Sequence, residues 1–481
     1  MTESAIIDLE LQVPLAPTQE AFVESTAPIV ALIGPEGEGK TYAGFAAVLR
    51  HAQAHIDDDL PVRCALIRDT HENIKTKTRT SIDKAIAAIA RLNNMPEFVS
   101  EFRWMNDSKI LRCDSLGLII DLFGADDNAS VAKLQGGDMW SFIWLEEPAP
   151  MYAGNNAGMP KAVFDAALSR AARGIGTSGN MRLQITMNPA DEDHWTFETL
   201  VKSPYKKGNS EFPEIYTETF HIPYGENPTR TDLQRQATKA AYKNDAALYA
   251  RLVQGKFAFV QIGVAVTPEY RDHHHFVRPG VPWDLRVVPG AVGFRGWDGG
   301  HNPTCVIGQI APQGGLNFIH AFVLPHAGMR QLIEQIVLPC INLHYREVKE
   351  WIDTGDPTLE TGDQGDITKS AAHQINTLLN AQFQGASHWP APREAMKNAL
   401  TKIYDVPYVR VGKHAEALHK ALRGGWHFER LKSGQVLKDK PVKDHHSHPG
   451  DCFGAICLKL LGHQQKEKRP PRKAVNTRIY G

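Results

Sequence analysis

A glycine-rich stretch that ends in Lys40 and Thr41 carries the clearest chemistry in this sequence. It reads Gly-Pro-Glu-Gly-Glu-Gly-Lys-Thr over residues 34–41, after an apolar run at 29–33 and before a helix-like segment at 42–50. Its glycines let backbone N–H groups wrap phosphate oxygens, while the lysine can reach the β- and γ-phosphates and the threonine hydroxyl can coordinate Mg²⁺. The three predicted phosphate-binding glycines are Gly34, Gly37 and Gly39. Strand, loop and helix in this order predict that the chain binds and hydrolyses ATP.

A pair of acids at the end of another apolar run is the predicted partner of this loop. The run Phe-Ile-Trp-Leu at 142–145 leads into Glu146 and Glu147. Ligands gather at the carboxyl ends of parallel strands. We predict that Glu146 holds the Mg²⁺ shell, where Asp is more usual, and that Glu147 orients and deprotonates the attacking water.

Two further polar residues are weaker candidates for the nucleotide site. Asn188 follows a strand-like run at 181–187 and precedes Pro189. It is compatible with sensing the γ-phosphate and equally with a turn that ends the strand. Gln19 lies upstream of the loop, and its amide is predicted to hydrogen-bond the adenine edge.

The rest of the first half alternates apolar runs with helix-like segments. Residues 62–69 and 118–124 have the pattern of buried strands, and residues 81–89 have that of a helix. Such alternation is typical of a parallel sheet with crossover helices. The sequence therefore predicts an α/β domain in which the loop and the acids share one sheet edge.

Aspartates at strand ends and at a helix start suggest a second active site in the later half. Asp298 follows a strand-like run. Asp353 ends a second strand-like run at 348–353, and Asp356 follows that run. Asp451 opens an apolar helix. This arrangement suits a ribonuclease-H-like site, where two divalent ions act on a phosphodiester. Hard oxygen ligands fit Mg²⁺ or Mn²⁺ rather than zinc. Each aspartate is also compatible with a turn or cap, and Asp451 in particular with capping its helix.

Composition excludes few classes of function but sets their frame. The 481 residues lead us to expect two or three domains. The formal net charge of -1 at pH 7 means that a DNA-binding surface would be a local patch. The six cysteines show no C-x-x-C spacing and are predicted to be reduced thiols. No signal peptide or membrane-spanning run is recognisable, so no membrane association is expected.

The ATPase motifs together resemble those of the large terminase subunit of tailed bacteriophages. Gln19, the loop at 34–41, the strand and acids at 142–147 and the run at 185–189 match that family's motifs in order. The likeness covers nearly the whole chain. It implies an N-terminal P-loop, RecA/ASCE-like ATPase domain and a C-terminal RNase H-like nuclease domain.

The nuclease half carries the same resemblance. Asp298, Asp356 and Asp451 fall where the family places its metal-binding acids, and residues 447–451 are similar to its last nuclease motif. Asp356 is preferred as the second ligand on this likeness, while Asp353 is the alternative that lies closer to the predicted strand. ATP with Mg²⁺ is the implied cofactor set, with Mn²⁺ as an option at the nuclease site.

The resemblance also implies a function and partners. A motor of this family uses ATP hydrolysis to move double-stranded DNA into a procapsid and cuts concatemeric DNA with its nuclease. It works as a homo-oligomeric ring of five subunits docked on the portal protein, with a small terminase subunit that selects DNA. The implied location is the host cytoplasm, with transient docking on the procapsid portal.

The sequence departs from the family pattern around the phosphates. Glu36 and Glu38 stand where the family often has a basic residue, and Gln135 stands where an arginine often precedes the acidic strand. A basic residue of this family can act in trans, as a finger that reaches the nucleotide of a neighbouring subunit. Three residues are alternatives for this role: Lys133, Arg170 and Arg173.

We predict four segments and keep one rival function. The segments are an ATPase domain at 1–200, a helical lid or linker at 201–260, a nuclease domain at 261–463 and a basic tail at 464–481. The rival is a helicase-like or repair ATPase that depends on DNA and has a non-cutting DNA-binding module after it. Metal-dependent cutting of a plasmid separates the two functions.

Overall fold

The chain folds as two compact units, residues 1–260 and 261–481, each with its own sheet. The computed structural model describes residues 11–55, 62–125, 134, 140–149, 158–171, 181–260, 263–277, 285–361, 370–386, 389–403, 405–429, 436 and 440–462. Within these residues no helix combines the length and the apolar character that a membrane span requires. All six cysteines are unpaired and buried.

The first unit is built on an eight-stranded sheet. Its strands are β1 (Ile29–Ile33), β2 (Val62–Arg68), β3 (Phe102–Met105), β4 (Ile110–Cys113), β5 (Leu118–Gly124), β6 (Phe142–Glu146), β7 (Arg182–Met187) and β8 (Thr217–His221). The spatial order is β3-β4-β5-β2-β6-β7-β1-β8. Pairing is parallel from β5 to β8 and antiparallel among β3, β4 and β5. Every residue of β1, β6 and β7 is buried. The apolar runs in β1 and β6 are those expected for central parallel strands.

Helices accompany this sheet. They are α1 (Pro17–Glu24), α2 (Lys40–Gln53), α3 (His71–Asn73), α4 (Arg79–Leu92), α5 (Phe98–Glu101), α6 (Lys161–Ala171), α7 (Trp195–Phe197), α8 (Asp232–Tyr242) and α9 (Ala246–Leu252). π-helical turns at Ile74–Thr78 and Glu198–Lys202 follow α3 and α7. The predicted helical segment 201–260 does contain α8 and α9, but it also contributes strand β8, which pairs with β1.

The second unit is built on a six-stranded sheet and a short ribbon. Its strands are β9 (Val264–Ala265), β10 (Gly293–Asp298), β11 (Thr304–Ile310), β12 (Leu316–Val323), β13 (Trp351–Gly355), β14 (Phe383–Gly385), β15 (Val409–His414) and β16 (His427–Phe428). The six-stranded order is β14-β13-β10-β11-β12-β15. Neighbours among β10, β11 and β12 pair antiparallel, whereas β13 and β14 run parallel to β10. This order is that of an RNase H-like fold, so the predicted fold class is confirmed for both halves.

The helices of the second unit end with a long apolar one. They are α10 (Asp272–His275), α11 (Met329–Leu332), α12 (Leu338–His344), α13 (Ala371–Leu379), α14 (Pro392–Thr401), α15 (Glu416–Lys420) and α16 (Ser447–Leu461), with π-helical turns at Ile333–Val337 and Ala421–Gly425 and a 3₁₀ turn at Pro357–Glu360. Helix α16 packs directly on β10. A Cβ at Gly296 would lie 2.6 Å from Ile456 Cδ1 and 2.9 Å from the Cys452 carbonyl oxygen. Only glycine lets the helix come this close to the strand.

Buried histidines make the stability of both units depend on pH. Burial lowers the pKa of His51 to about 3 and of His194 to about 4 in the first unit, and of His320 to about 4 and of His419 to about 3 in the second. Unfolded histidines take up protons below about pH 6.5, whereas these stay neutral in the folded chain. Stability should therefore fall as the pH drops from about 6.5 towards 4. Thermal unfolding in buffers across this window measures the loss.

A single-site variant tests the origin of this acid sensitivity. His51→Gln should flatten the fall in melting temperature of the first unit, while His273→Gln, which changes an exposed histidine, should leave the profile unchanged. An unaltered slope in His51→Gln would place the acid sensitivity in other groups.

Candidate active sites

The glycine-rich loop lies where β1 turns into α2. Gly37 and Gly39 both have a φ of 80°, a conformation that other residues rarely adopt, and Gly39 immediately precedes α2. The predicted strand, loop and helix are thus in place. Because β7 pairs with β1, β6 pairs with β7 and all three strands are parallel, their carboxyl ends open at the same edge as the loop.

Lys40 connects the loop to the end of β7. Its Nζ donates to the Pro35 carbonyl oxygen at 2.6 Å and to Asn188 Oδ1 at 2.9 Å. Burial lowers the pKa of Lys40 below its ordinary value, and four carboxylates, Glu147 and Glu146 foremost, oppose that shift. The ammonium group is therefore held over the loop, inside an acidic environment.

Thr41 and Glu146 meet across the same edge. The Thr41 hydroxyl donates to Glu146 Oε1 at 2.7 Å, and the Thr186 hydroxyl donates to the other oxygen, Oε2. Trp144 Nε1 donates to Thr186 Oγ1 at 2.7 Å and fixes that hydroxyl. Burial raises the pKa of Glu146, and neighbouring Glu147 adds to the rise. A hydroxyl and a carboxylate at this distance are oxygen donors of the kind that Mg²⁺ prefers.

Glu147 is clamped by the residue that follows β7. Its Oε2 accepts from the Asn188 backbone N–H and its Oε1 accepts from Asn188 Nδ2, both at 3.0 Å. Its backbone has a φ of 47°, which turns the chain directly after β6. Asn188 therefore contacts both Lys40 and Glu147, so it does more than terminate a strand.

Gln19 is buried against the loop. Its Nε2 donates to the Glu38 carbonyl oxygen at 2.9 Å, and its Oε1 accepts from the Ala16 backbone N–H at 3.0 Å. A Cβ at Gly39 would lie 2.6 Å from Gln19 Nε2. The structure thus brings this predicted residue to the loop, where its amide already supports the backbone.

The segment after β8 contacts the glycine-rich loop at Glu36 and Glu38. Glu38 is fully buried, and its carboxylate accepts from the Asn227 backbone N–H at 2.9 Å and pairs with Arg230 at 3.3 Å. Arg230 also donates to the Glu36 carbonyl oxygen at 2.6 Å, and Tyr242 OH donates to Glu36 Oε2 at 3.1 Å. Sequence reasoning missed these contacts, since they join residues about 190 positions apart.

Arg251 is a second basic residue that the sequence did not reveal. It is 2% exposed, and its Nε donates to the Pro189 carbonyl oxygen at 2.7 Å. Downstream of it, the Val260 N–H donates to Asp191 Oδ2 at 2.7 Å. Helix α9 and the chain that follows it are therefore hydrogen-bonded to the turn that carries Asn188.

Removing Arg230 should destabilise the first unit. Arg230→Ala leaves the buried Glu38 carboxylate without its cation, a loss of about 3 kcal/mol or more in the free energy of unfolding. We expect the melting temperature of the first unit to fall by roughly 6–12 °C and the KM for ATP to rise. Arg91→Ala, at an exposed helix position, is the matched control. Unchanged stability of Arg230→Ala would mean that the pair contributes nothing.

Three aspartates converge in the second unit. Asp298 ends β10, Asp356 lies one residue beyond β13, and Asp451 lies in α16, which packs on β10. Strands β10 and β13 are parallel neighbours, and the Asp356 N–H donates to the Trp297 carbonyl oxygen at 3.2 Å. Adjacent carboxyl ends therefore bring Asp298 and Asp356 together.

A histidine and a lysine complete this cluster. His448 Nδ1 lies 2.6 Å from Asp298 Oδ2, and Lys443 Nζ donates to Asp451 Oδ2. Burial raises the pKa of Asp451, Lys443 opposes the rise, and the charges of Asp298 and Asp356 add to it. His448 lies within residues 447–451, the stretch whose likeness to a nuclease motif pointed to Asp451 alone.

An open cleft of about 680 Å³ is bordered by Asp298. Asp298, Gly299, Thr358, Lys443 and His448 are among its lining residues. The carboxylates of Asp298 and Asp356 both act on Asp451. Neighbouring carboxylate oxygens are the donor set for Mg²⁺ or Mn²⁺, so the residues fit the implied ions.

Asp353 does not join the cluster. Both of its oxygens are taken by Arg295, at 2.8 and 2.7 Å, and Trp297 Nε1 donates to Oδ1 at 2.8 Å. It lies in the middle of β13, which starts three residues later than the sequence predicted, and is 2% exposed. The capping alternative for Asp451 is wrong, because α16 begins at Ser447 and places Asp451 in its second turn.

Replacing Asp353 should therefore cost stability rather than a metal site. Asp353→Asn leaves the buried Arg295 guanidinium without a counter-charge, and we expect the second unit to lose about 3 kcal/mol or more. Its melting temperature should fall by roughly 6–12 °C, as measured by calorimetry. Metal binding by the protein that remains folded at low temperature should be unchanged. Loss of metal binding with normal stability would contradict this assignment.

Several sequence candidates lie elsewhere. Arg170 lies in the last turn of α6, whereas Lys133, Gln135, Arg173 and the tail at 464–481 fall outside the described residues. In the histidine triplet at 273–275, His275 is buried, and its Nε2 lies 3.1 Å from the Leu400 carbonyl oxygen. A packing role in the second unit therefore accounts for His275.

Comparison with solved structures gives a consistent set of likenesses. Phage large terminases are among the solved structures that this chain resembles. The large terminase of a thermophilic bacteriophage is 14% identical, with 93% of this chain and 100% of that chain covered and a TM-score of 0.37. The HK97 bacteriophage enzyme is 11% identical, with 92% and 95% covered and a TM-score of 0.38. The thermophilic phage terminase has also been solved in complex with ATP-gamma-S.

These identities and TM-scores are low. A scan against protein-family models and a search of curated proteins find no match. The function proposed for this chain is therefore argued from its own residues.

Proposed function

We propose that the first unit is an ATPase. Lys40 binds the β- and γ-phosphates, and the loop glycines surround them. Gln19 supports the loop backbone through its hydrogen bond to the Glu38 carbonyl oxygen. A contact with the adenine edge is a further role that we propose for Gln19. Glu147, oriented by Asn188, accepts a proton from the attacking water. Thr41 and Glu146 would hold Mg²⁺, which supplies charge neutralisation at the phosphates. The proposal rests on the hydrogen bonds that join Lys40, Asn188 and Glu147 at one sheet edge.

We propose that the second unit is a DNA endonuclease. Asp298, Asp356 and Asp451 would hold two divalent ions, Mg²⁺ or Mn²⁺, which supply water activation and stabilise the leaving oxygen. His448 orients Asp298, and Lys443 places a positive charge beside Asp451 that can attract a backbone phosphate. Asp356 is preferred to Asp353 because the latter is fully engaged by Arg295 and Trp297.

Together the two sites support a viral DNA-packaging motor. ATP hydrolysis would drive double-stranded DNA into a procapsid, and the nuclease would cut the concatemer. The partners we propose are DNA, a portal protein and a small terminase subunit, in a ring of five copies that docks transiently on the portal in the host cytoplasm. The observation that supports this function is a cluster of three aspartates, Asp298, Asp356 and Asp451, on the same chain as a glycine-rich loop with its lysine and paired acids.

The deciding experiment is a pair of activity assays on the full chain. A packaging enzyme should linearise plasmid DNA in Mn²⁺ without ATP, and its ATP hydrolysis should rise when DNA is added. Asp298→Ala should stop cutting but leave ATP hydrolysis intact. DNA-stimulated ATP hydrolysis without cutting in any divalent metal would favour the helicase-like alternative.

A further inference from the structure

An aromatic pocket lies beside the proposed nuclease acids. It has a volume of about 250 Å³ and is bordered by Asp356 and Asp451 on one side. Its apolar walls are Pro357, Trp389, Pro392 and Trp426, and its floor is Gly454 and Ala455. The volume is below the roughly 300–1,000 Å³ of sites that enclose drug-sized ligands, so a single flat heterocycle is a better match.

The tryptophans of this wall pack against each other and against Phe428. The Trp389 and Trp426 ring centroids are 5.9 Å apart at an interplanar angle of 74°, and Phe428 lies 5.7 Å from Trp389 at 61°. Trp426 is buried, whereas Trp389 is half-buried and borders the pocket. A ring fixed in this way can stack on a planar group at little entropic cost.

The surroundings of the pocket favour a nucleic-acid strand as its ligand. Lys440 and Lys443 lie on its border and are exposed, which suits contacts with backbone phosphates. Asp451 and Ala455 are four residues apart on α16 and share one helix face, so the floor lies about one turn, or roughly 5.4 Å, from the acid. A phosphate at the acids would therefore have its neighbouring base within reach of the pocket.

We propose that this pocket receives one unstacked nucleobase of the DNA strand next to the phosphate that is cut. The proposal rests on the nuclease function proposed above. A base inside a duplex must leave its stack to enter such a pocket, so single-stranded or mispaired nucleotides bind with less cost. Stacking on Trp389 does not depend on base identity, because every base offers a flat face.

The test compares DNA with and without bases. Full-length protein in Ca²⁺ is titrated with a dye-labelled dT12 and with a fully abasic 12-mer of the same backbone, and the two Kd values give a base preference. We expect dT12 to bind about 10-fold more tightly in the wild type. Trp389→Leu should bring that ratio close to one, whereas Trp389→Phe, which keeps an aromatic ring, should retain it.

A matched control and a second readout complete the design. Trp104→Leu, a half-buried tryptophan of the first unit, should leave the ratio at its wild-type value, and melting temperatures verify folding. If folded Trp389→Leu keeps the wild-type ratio of the two Kd values, the base pocket is ruled out, even if the variant still cuts plasmid DNA. Loss of the ratio in Trp389→Leu supports the pocket. If the base preference depends on Trp389 but the wild-type protein does not cut plasmid DNA, the base pocket stands and the proposed nuclease function is wrong.

Discussion

Replacing Glu147 by glutamine should lower kcat for ATP hydrolysis by about 10²–10⁴-fold, the usual contribution of a general base. Glutamine keeps the size of the side chain and one acceptor oxygen for Asn188, but it cannot take a proton from water. Lys40 and Thr41 are unchanged, so ATP should still bind. Steady-state hydrolysis and binding of a fluorescent ATP analogue measure the two effects separately.

The matched control for this variant is Glu72→Gln, which neutralises an exposed acid in α3 of the same unit. It should hydrolyse ATP at the wild-type rate. Plasmid cutting by Glu147→Gln should also match the wild type, because the nuclease acids lie in the other unit. Hydrolysis by Glu147→Gln within a few-fold of normal would assign the base to another residue.

Asn188 links Lys40, the proposed phosphate-binding lysine, with Glu147, the proposed base. Its Oδ1 accepts from Lys40, while its N–H and Nδ2 hold Glu147. A γ-phosphate that draws the lysine towards itself would weaken one of these bonds and free the amide to shift. We therefore expect the position of Glu147 to respond to what Lys40 binds.

Much of the first unit could be predicted from local sequence. Glycines at fixed spacing mark the loop because their positive φ is needed there, and unbroken apolar runs mark central parallel strands. The partners of the loop could not be predicted in this way. Arg230 pairs with Glu38 because β8, which precedes it, pairs with β1. A local sequence pattern does not reveal a contact between residues so far apart in the chain.

In the second unit the acids were visible, but their roles depended on strand register. The sequence placed the strand at 348–353, whereas β13 spans Trp351–Gly355. That shift moves Asp353 from the end of a strand to its middle, where Arg295 from neighbouring β10 faces it. Asp353 lies within the paired part of β13 and Asp356 lies one residue beyond it, so the bounds of the strand decide which acid lies beside Asp298. Only the folded sheet separates Asp353 from Asp356.

Replacing Asp356 by asparagine should abolish plasmid cutting without loss of stability. Its side chain is half-buried at the strand end and accepts from the Thr358 N–H at 2.8 Å, a bond that asparagine can keep. The lost charge should weaken Mn²⁺ binding, measured by calorimetry, and reduce cutting to the level without enzyme. Asp405→Asn, an exposed acid of the same unit, should cut normally. If Asp356→Asn cuts DNA and binds Mn²⁺ as the wild type does, Asp356 is not a ligand and the two-metal site must be rebuilt around other oxygens.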